Sequence, residues 1–110
     1  MKMGQALGHF AGNGRAVCAV MRAQIKPGLD EEFEALMRDL AFHVRSDEPG
    51  CAAYVVTRMI GSRNHFAVHA RFQDMAAFNG HADTEHLRRA MPRLTALLTA
   101  PVSMEIFLAV

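Results

Sequence analysis

Residues 51–73 read CAAYVVTRMIGSRNHFAVHARFQ. Two runs rich in β-branched and aromatic residues, 51–59 and 65–73, flank Ile60-Gly61-Ser62-Arg63-Asn64. A five-residue connection carrying Gly and Asn between two such runs predicts an antiparallel hairpin. In the second run Phe66, Val68, Ala70 and Phe72 share one parity, and His65, Ala67, His69 and Arg71 the other. The Phe row should face packed helices and the His/Arg row the opposite side, because successive strand residues alternate between faces.

Upstream of the hairpin, Asp47-Glu48-Pro49-Gly50 reads as a turn. Before it, Phe33, Leu36, Met37, Leu40, Ala41 and Val44 recur at helical spacing, which predicts one apolar stripe. Asp30 opens this helix, with Glu31 and Glu32 in its first turn, and the helix ends near Ser46. Phe42 lies about 180° from Phe33 at 100° per residue, so it is an exposed aromatic or a subunit contact. Further upstream, residues 16–25 form a strand with Ala19, Met21, Ala23 and Ile25 on one parity and Arg22 and Gln24 on the other. Lys26-Pro27-Gly28 stops it.

Downstream, Asp74 caps a short helix through about Gly80, anchored by Phe78. A second helix starts near Asp83 and turns Leu87, Ala90, Met91, Leu94, Leu97 and Leu98 inward. Pro92 should kink or divide it, because proline removes a backbone donor. Ala100-Pro101 ends it, and 102–109 alternate as a last strand, with Val102, Met104, Ile106 and Leu108 on one side. The order β-α-β-β-α-β predicts an α+β fold: a split βαβ unit with a four-stranded antiparallel sheet and helices on one side.

The chain has 110 residues, enough for one domain with a real core. Residues 1–15, with four glycines and no continuous apolar stretch, read as a flexible leader, and 16–110 as the single domain. Cys18 and Cys51 lack a CxxC partner and read as small buried hydrophobes, which by default implies a reducing, cytoplasmic setting. Twelve basic against eleven acidic residues give a net charge of +1, too little excess for nucleic acid as partner. No apolar run is long enough to span a bilayer, so no membrane partner is expected.

Two helices cover only one face of four strands. The other face still carries Cys18, Val20 and Phe107, and the second strand has Cys51, Ala53 and Val55 on one side and Ala52, Tyr54 and Val56 on the other, so both faces are apolar, which predicts a homodimer through the open sheet.

The sequence resembles the antibiotic biosynthesis monooxygenase family over residues 16–109. The resemblance rests on Ile25-Lys26-Pro27-Gly28, Glu31-Glu32-Phe33, and Asp47-Glu48-Pro49-Gly50-Cys51 with Tyr54 following. It continues in Phe72-Gln73-Asp74, Ala77-Phe78, His81 and His86-Leu87. It implies ferredoxin-like βαββαβ halves pairing as a dimeric α+β barrel, with a pocket between sheet and helices. The family's third strand commonly ends Glu-Arg-Trp; here Ala70, Arg71 and Phe72 stand there, and the chain has no Trp. That departure weighs against the haem-degrading branch and removes support for aromatic polyketide oxygenation.

The resemblance implies a cofactor-independent monooxygenase acting on a small phenolic or quinol-like aromatic. His81, which matches the family's histidine, is the expected catalytic base, with His86 as second candidate; imidazole titrates near neutral pH and suits proton removal. Tyr54 and Asn79 could bond a substrate oxygen, and Phe72, Phe78 and Phe66 would form aromatic walls. The bland readings are a helix-end histidine, a satisfied sheet tyrosine and core phenylalanines. A pairing of Arg71 with Glu105, within the sheet or across the dimer, is also expected.

No metal is expected. His65 and His69 would stand about 13 Å apart on one strand face, His81 and His86 are five apart across a helix break, and His43 stands alone. No Gly-rich phosphate loop precedes a helix, and Gly-x-Ser-x-Gly is absent, which disfavours nucleotide chemistry and a serine hydrolase. The alternatives are a non-catalytic dimeric module for a small ligand or partner protein, and an isomerase or decarboxylase sharing the histidine base.

Overall fold

The hairpin at 51–73 forms β2 (Cys51–Arg58) and β3 (His65–Phe72) in a computed structural model that describes residues 14–110. The expected leader over 1–15 lies almost wholly outside the described residues. Around the hairpin stand β1 (Val17–Gln24), α1 (Asp30–Asp47), α2 (Met75–Ala82), α3 (Glu85–Leu97) and β4 (Ser103–Leu108). The sheet order is β2-β3-β1-β4, and every neighbouring pair is antiparallel. This is the expected α+β, ferredoxin-like βαββαβ arrangement, with the second helical segment split in two.

The alternation in β3 sets the layers. Phe66, Val68, Ala70 and Phe72 are all buried, and they join Phe33, Leu36, Met37, Leu40, Ala41 and Val44 of α1 with Ala90, Leu94 and Leu97 of α3 in one core. Each position of the α1 stripe is therefore filled as its period requires, while Phe42, on the opposite side, is exposed. Fully burying one such side chain contributes about 1.5–3 kcal/mol. Cys18, Val20, Ala53 and Val55 sit on the open face with Arg71 and His69, as their register partners show. Val55 and Phe107 are about half exposed there.

Four local expectations need correction. A bulge between Cys51 and Ala53 places Cys51 opposite Phe72 and Ala53 opposite Arg71. One extra residue shifts the parity, so Cys51 packs toward the core instead of sharing a face with Ala53 and Val55. Pro92 does not divide α3, which runs unbroken from Glu85 to Leu97. Its position on the exposed face lets solvent satisfy the carbonyl that lacks a donor. Within the sheet of one chain Glu105 pairs with Arg22, not Arg71, because β1 and β4 are neighbours and Arg22 and Glu105 are diagonal on one face. Arg71 instead approaches Cys18 Sγ at 3.9 Å. His43 is not isolated: its ring stacks on that of His86 at 6.0 Å.

Gly28 and Gly61 adopt φ of 84° and 86°, the left-handed region that their tight turns require and that glycine enters without steric cost. No helix among the described residues is long and apolar enough to cross a membrane.

Candidate active site

A cavity of about 710 Å³ lies between the helix-facing side of the sheet and the helices, within the range of small-molecule sites. Val68, Ala70 and Phe72 of β3 form its floor, and Phe78, Asn79 and His81 of α2 form part of its wall. Met21, Met37, Met91 and Met104 reach it from β1, α1, α3 and β4. Tyr54, Asn79, His81 and Asp83 are its polar groups. The His81 ring stands 5.3 Å from Phe72 and 5.7 Å from Tyr54. Phe72 and Phe78 meet edge to face at 5.6 Å.

The last turn of α2 carries His81, and its placement is built locally. Asp74 caps α2 by accepting from the Ala77 N–H at 2.8 Å. Thr84 caps α3 by accepting from Leu87 N–H at 3.4 Å, and donates its own hydroxyl to the His81 carbonyl at 2.8 Å. This one residue fixes the break between the two helices. The break turns His81 and His86 toward each other, with ring centroids 6.5 Å apart.

Between them lies Glu48. His81 Nδ1 donates to Glu48 Oε1 and Oε2 at 3.0 and 2.9 Å, and His86 Nε2 donates to Oε2 at 2.5 Å. The side chains of Glu48, His81 and His86 are only 10, 13 and 12% exposed. A buried carboxylate needs such donors, because an unpaired one is costly. Donating from Nδ1 fixes the proton of neutral His81 there and leaves Nε2 with a lone pair. Nε2 has no partner among the described residues.

Burial is the main cause that pushes the Tyr54 hydroxyl well above its ordinary value near 10, with the negative charge of Glu48 adding to it. Tyr54 is therefore a neutral phenol that can donate a hydrogen bond, not a base. Burial likewise raises the Cys51 thiol, with a smaller contribution from Glu48, against the lowering effect of a backbone hydrogen bond at Ala53. Cys51 is thus a poor thiolate.

Of the residues singled out from sequence, Tyr54, Phe72, Phe78, Asn79 and His81 come together on one cavity. Phe66 does not. It lies at the hairpin end of β3, against Phe33 at 4.4 Å and under the Arg58 guanidinium at 5.2 Å, and four strand positions separate it from Ala70. His86 stands behind His81, reaching the cavity only through Glu48.

Glu48 has no chemical role in the sequence reading, where it belongs to a turn and to the motif that carries the family resemblance. One signal could have found it. The hairpin pairs Cys51 with Phe72, so residues just before 51 must lie beside those just after 72. The five-residue spacing of His81 and His86 argued against a shared site, yet the helix break is what joins them.

A model of the family described as antibiotic biosynthesis monooxygenase matches residues 16–93. The chain belongs to the antibiotic biosynthesis monooxygenase family. The YcnE protein of Bacillus subtilis (strain 168), provisionally named a monooxygenase, is 31% identical over 81 residues, covering 74% of this chain and 84% of that protein. A Caulobacter crescentus CB15 protein, provisionally named for the same family, superposes with a TM-score of 0.87 at 24% identity, covering 96% of this chain and 98% of its own. A mutant of SnoaB from Streptomyces nogalater, described as a cofactor-independent oxygenase, superposes with a TM-score of 0.76 at 23% identity, over 86% of this chain and 93% of its own. At those identities the two structures speak to the fold of this family member alone.

Proposed function

We propose that this protein is a cofactor-independent monooxygenase of a small phenolic or quinol-like aromatic bound in the 710 Å³ cavity. The observation that carries the reading is His81, held through Nδ1 by Glu48 at the cavity wall. His81 Nε2 takes the acidic proton of the substrate. The Tyr54 hydroxyl and Asn79 amide donate to the oxygen that gains negative charge, and Phe72 and Phe78 flank the ring. The resulting carbanion combines with dioxygen to a peroxide. His81 returns its proton to the peroxide, which collapses to a ketone and water. For an anthrone-type methylene the balance is R₂CH₂ + O₂ → R₂C=O + H₂O, and for a quinol it is C₆H₄(OH)₂ + O₂ → C₆H₃(OH)O₂ + H₂O, a hydroxyquinone, so the substrate supplies all the electrons and no reductant is needed.

Monooxygenase naming of the relative at 31% identity supports this class of reaction. The test is oxygen uptake with simple quinols and anthrones. Wild type should consume oxygen, and His81→Ala should be slower by about 100-fold or more. Equal rates in both, or none in either, reject the reading.

A second reading is favoured by Ala70 and Phe72, which line the cavity where the family commonly has an acid and a Trp. On that reading the chain is a non-catalytic module that binds the same class of ligand. Saturable binding of a quinol without oxygen uptake would select it.

We further propose that a second copy of this chain covers the open sheet face. Support comes from Val55 and Phe107, half exposed beside Cys18 and Val20 on that face.

A further inference from the structure

Glu48, His81 and His86 have a chemistry that proton transfer does not exhaust. One carboxylate oxygen and two ring nitrogens lie within 4.8 Å of one another, on side chains no more than 13% exposed. We propose that this triad binds one divalent late first-row transition-metal ion, with Zn²⁺ as the reference ion, through Glu48 Oε, His81 Nδ1 and His86 Nε2.

The donor set is that of a three-ligand zinc site, whose fourth position is left to water. Two imidazoles suit Zn²⁺ and its neighbours, whereas Ca²⁺ and Mg²⁺ require more oxygen ligands than are present. Present separations of 2.9 Å (Nδ1 to Oε2) and 2.5 Å (Nε2 to Oε2) are those of hydrogen bonds. Around an ion with bonds near 2.0–2.1 Å, neighbouring donors stand roughly 3.3 Å apart, so each nitrogen–oxygen pair needs to spread by less than about 1 Å, while the two nitrogens already lie within 4.8 Å of each other. The three ligands come from the end of α1, the last turn of α2 and the first turn of α3, the latter two tied to each other by Thr84. A surface groove whose walls include Glu48, His81 and Thr84 gives the ion its route in.

Occupation has a consequence in the cavity. Without the ion, the Nδ1 proton bonds Glu48 and Nε2 is an acceptor. With the ion on Nδ1, a neutral His81 carries its proton on Nε2, which becomes a donor. His86 shifts its proton from Nε2 to Nδ1 in the same way, so no net proton is released. The ion therefore switches off the base. The site itself is independent of the oxygenase reading; the inhibition rests on it.

The test titrates chelator-treated, tag-free protein with Zn²⁺ by calorimetry and with Co²⁺ by visible absorption. We expect one equivalent with a Kd at or below about 1 μM. His86→Gln and Glu48→Gln, each checked for folding by circular dichroism, should weaken it by at least about tenfold. His43→Gln should not, although His43 lies near Asp39 and Asp47 at 3.8 and 3.7 Å. Nitrogen-15 NMR should show the His81 proton moving from Nδ1 to Nε2 as Zn²⁺ is added. Absence of binding, binding indifferent to His86→Gln and Glu48→Gln, or binding lost in His43→Gln would each overturn the site. Protein that binds Zn²⁺ but consumes no oxygen with any substrate would sink the oxygenase reading and leave the site standing.

Discussion

A Cβ on Gly50 would stand 2.7 Å from the Cβ of Ala77. The turn before β2 and the start of α2 therefore meet at a distance only glycine allows. The Gln73 N–H seals the contact by donating to the Gly50 carbonyl at 2.8 Å. This close approach sets Glu48 beneath His81. Gly50→Ala should destabilise the fold by about 1–3 kcal/mol, since a methyl forced into a packed contact must move backbone. Urea denaturation measures the loss. The same substitution should lower oxygen uptake, because it lifts the turn away from α2.

Glu48→Gln keeps the size of the side chain and removes its charge. It should lower kcat by at least about tenfold with little change in KM, the pattern of a group acting on the base instead of the substrate. Steady-state oxygen uptake reads both constants, and an unchanged kcat would contradict the orienting role.

Phe66 is a core residue. Phe66→Ala should cost about 3–5 kcal/mol, whereas Phe66→Leu should leave affinity for cavity ligands unchanged. Thermal melts and ligand titration of the two variants separate packing from recognition.

Tyr54 resists ionisation in the folded chain, because burial and the Glu48 charge both oppose a phenolate. The unfolded chain ionises near pH 10. Above that pH the unfolded state binds fewer protons than the folded one, so stability falls as pH rises. Below pH 10 the contribution is fully present. Chelator-treated wild type should therefore lose melting temperature more steeply above pH 10 than Tyr54→Phe does.

The open sheet should clasp a second copy. Sedimentation at micromolar concentration should give twice the 12.1 kDa chain mass. Val55→Lys together with Phe107→Lys should give the single chain.

Periodic burial made the fold legible. Phe33 to Val44 kept helical spacing, Phe66 to Phe72 kept strand spacing, and both rows packed as their periods require. Tertiary compensation was less legible. Pro92 breaks a local rule, but solvent on an exposed face absorbs the damage. The bulge at Ala52 leaves no mark in a run of small residues, so the parity of Cys51 could not be read. In the candidate site, His81, Tyr54 and Phe72 stood out from the sequence, and they meet on one cavity. Glu48 did not, because an acid before Pro-Gly looks like any solvated turn. Its role arises from a contact spanning 33 positions of chain.

Four thioethers, from Met21, Met37, Met91 and Met104, border the cavity on four different elements. Unbranched and polarizable, such side chains reshape around a guest with little penalty. On the proposed function, the chamber should discriminate weakly by outline and strongly by where a guest presents its oxygen to Tyr54, Asn79 and His81. Congeners that share an oxygen pattern but differ in ring substituents should be accepted nearly alike.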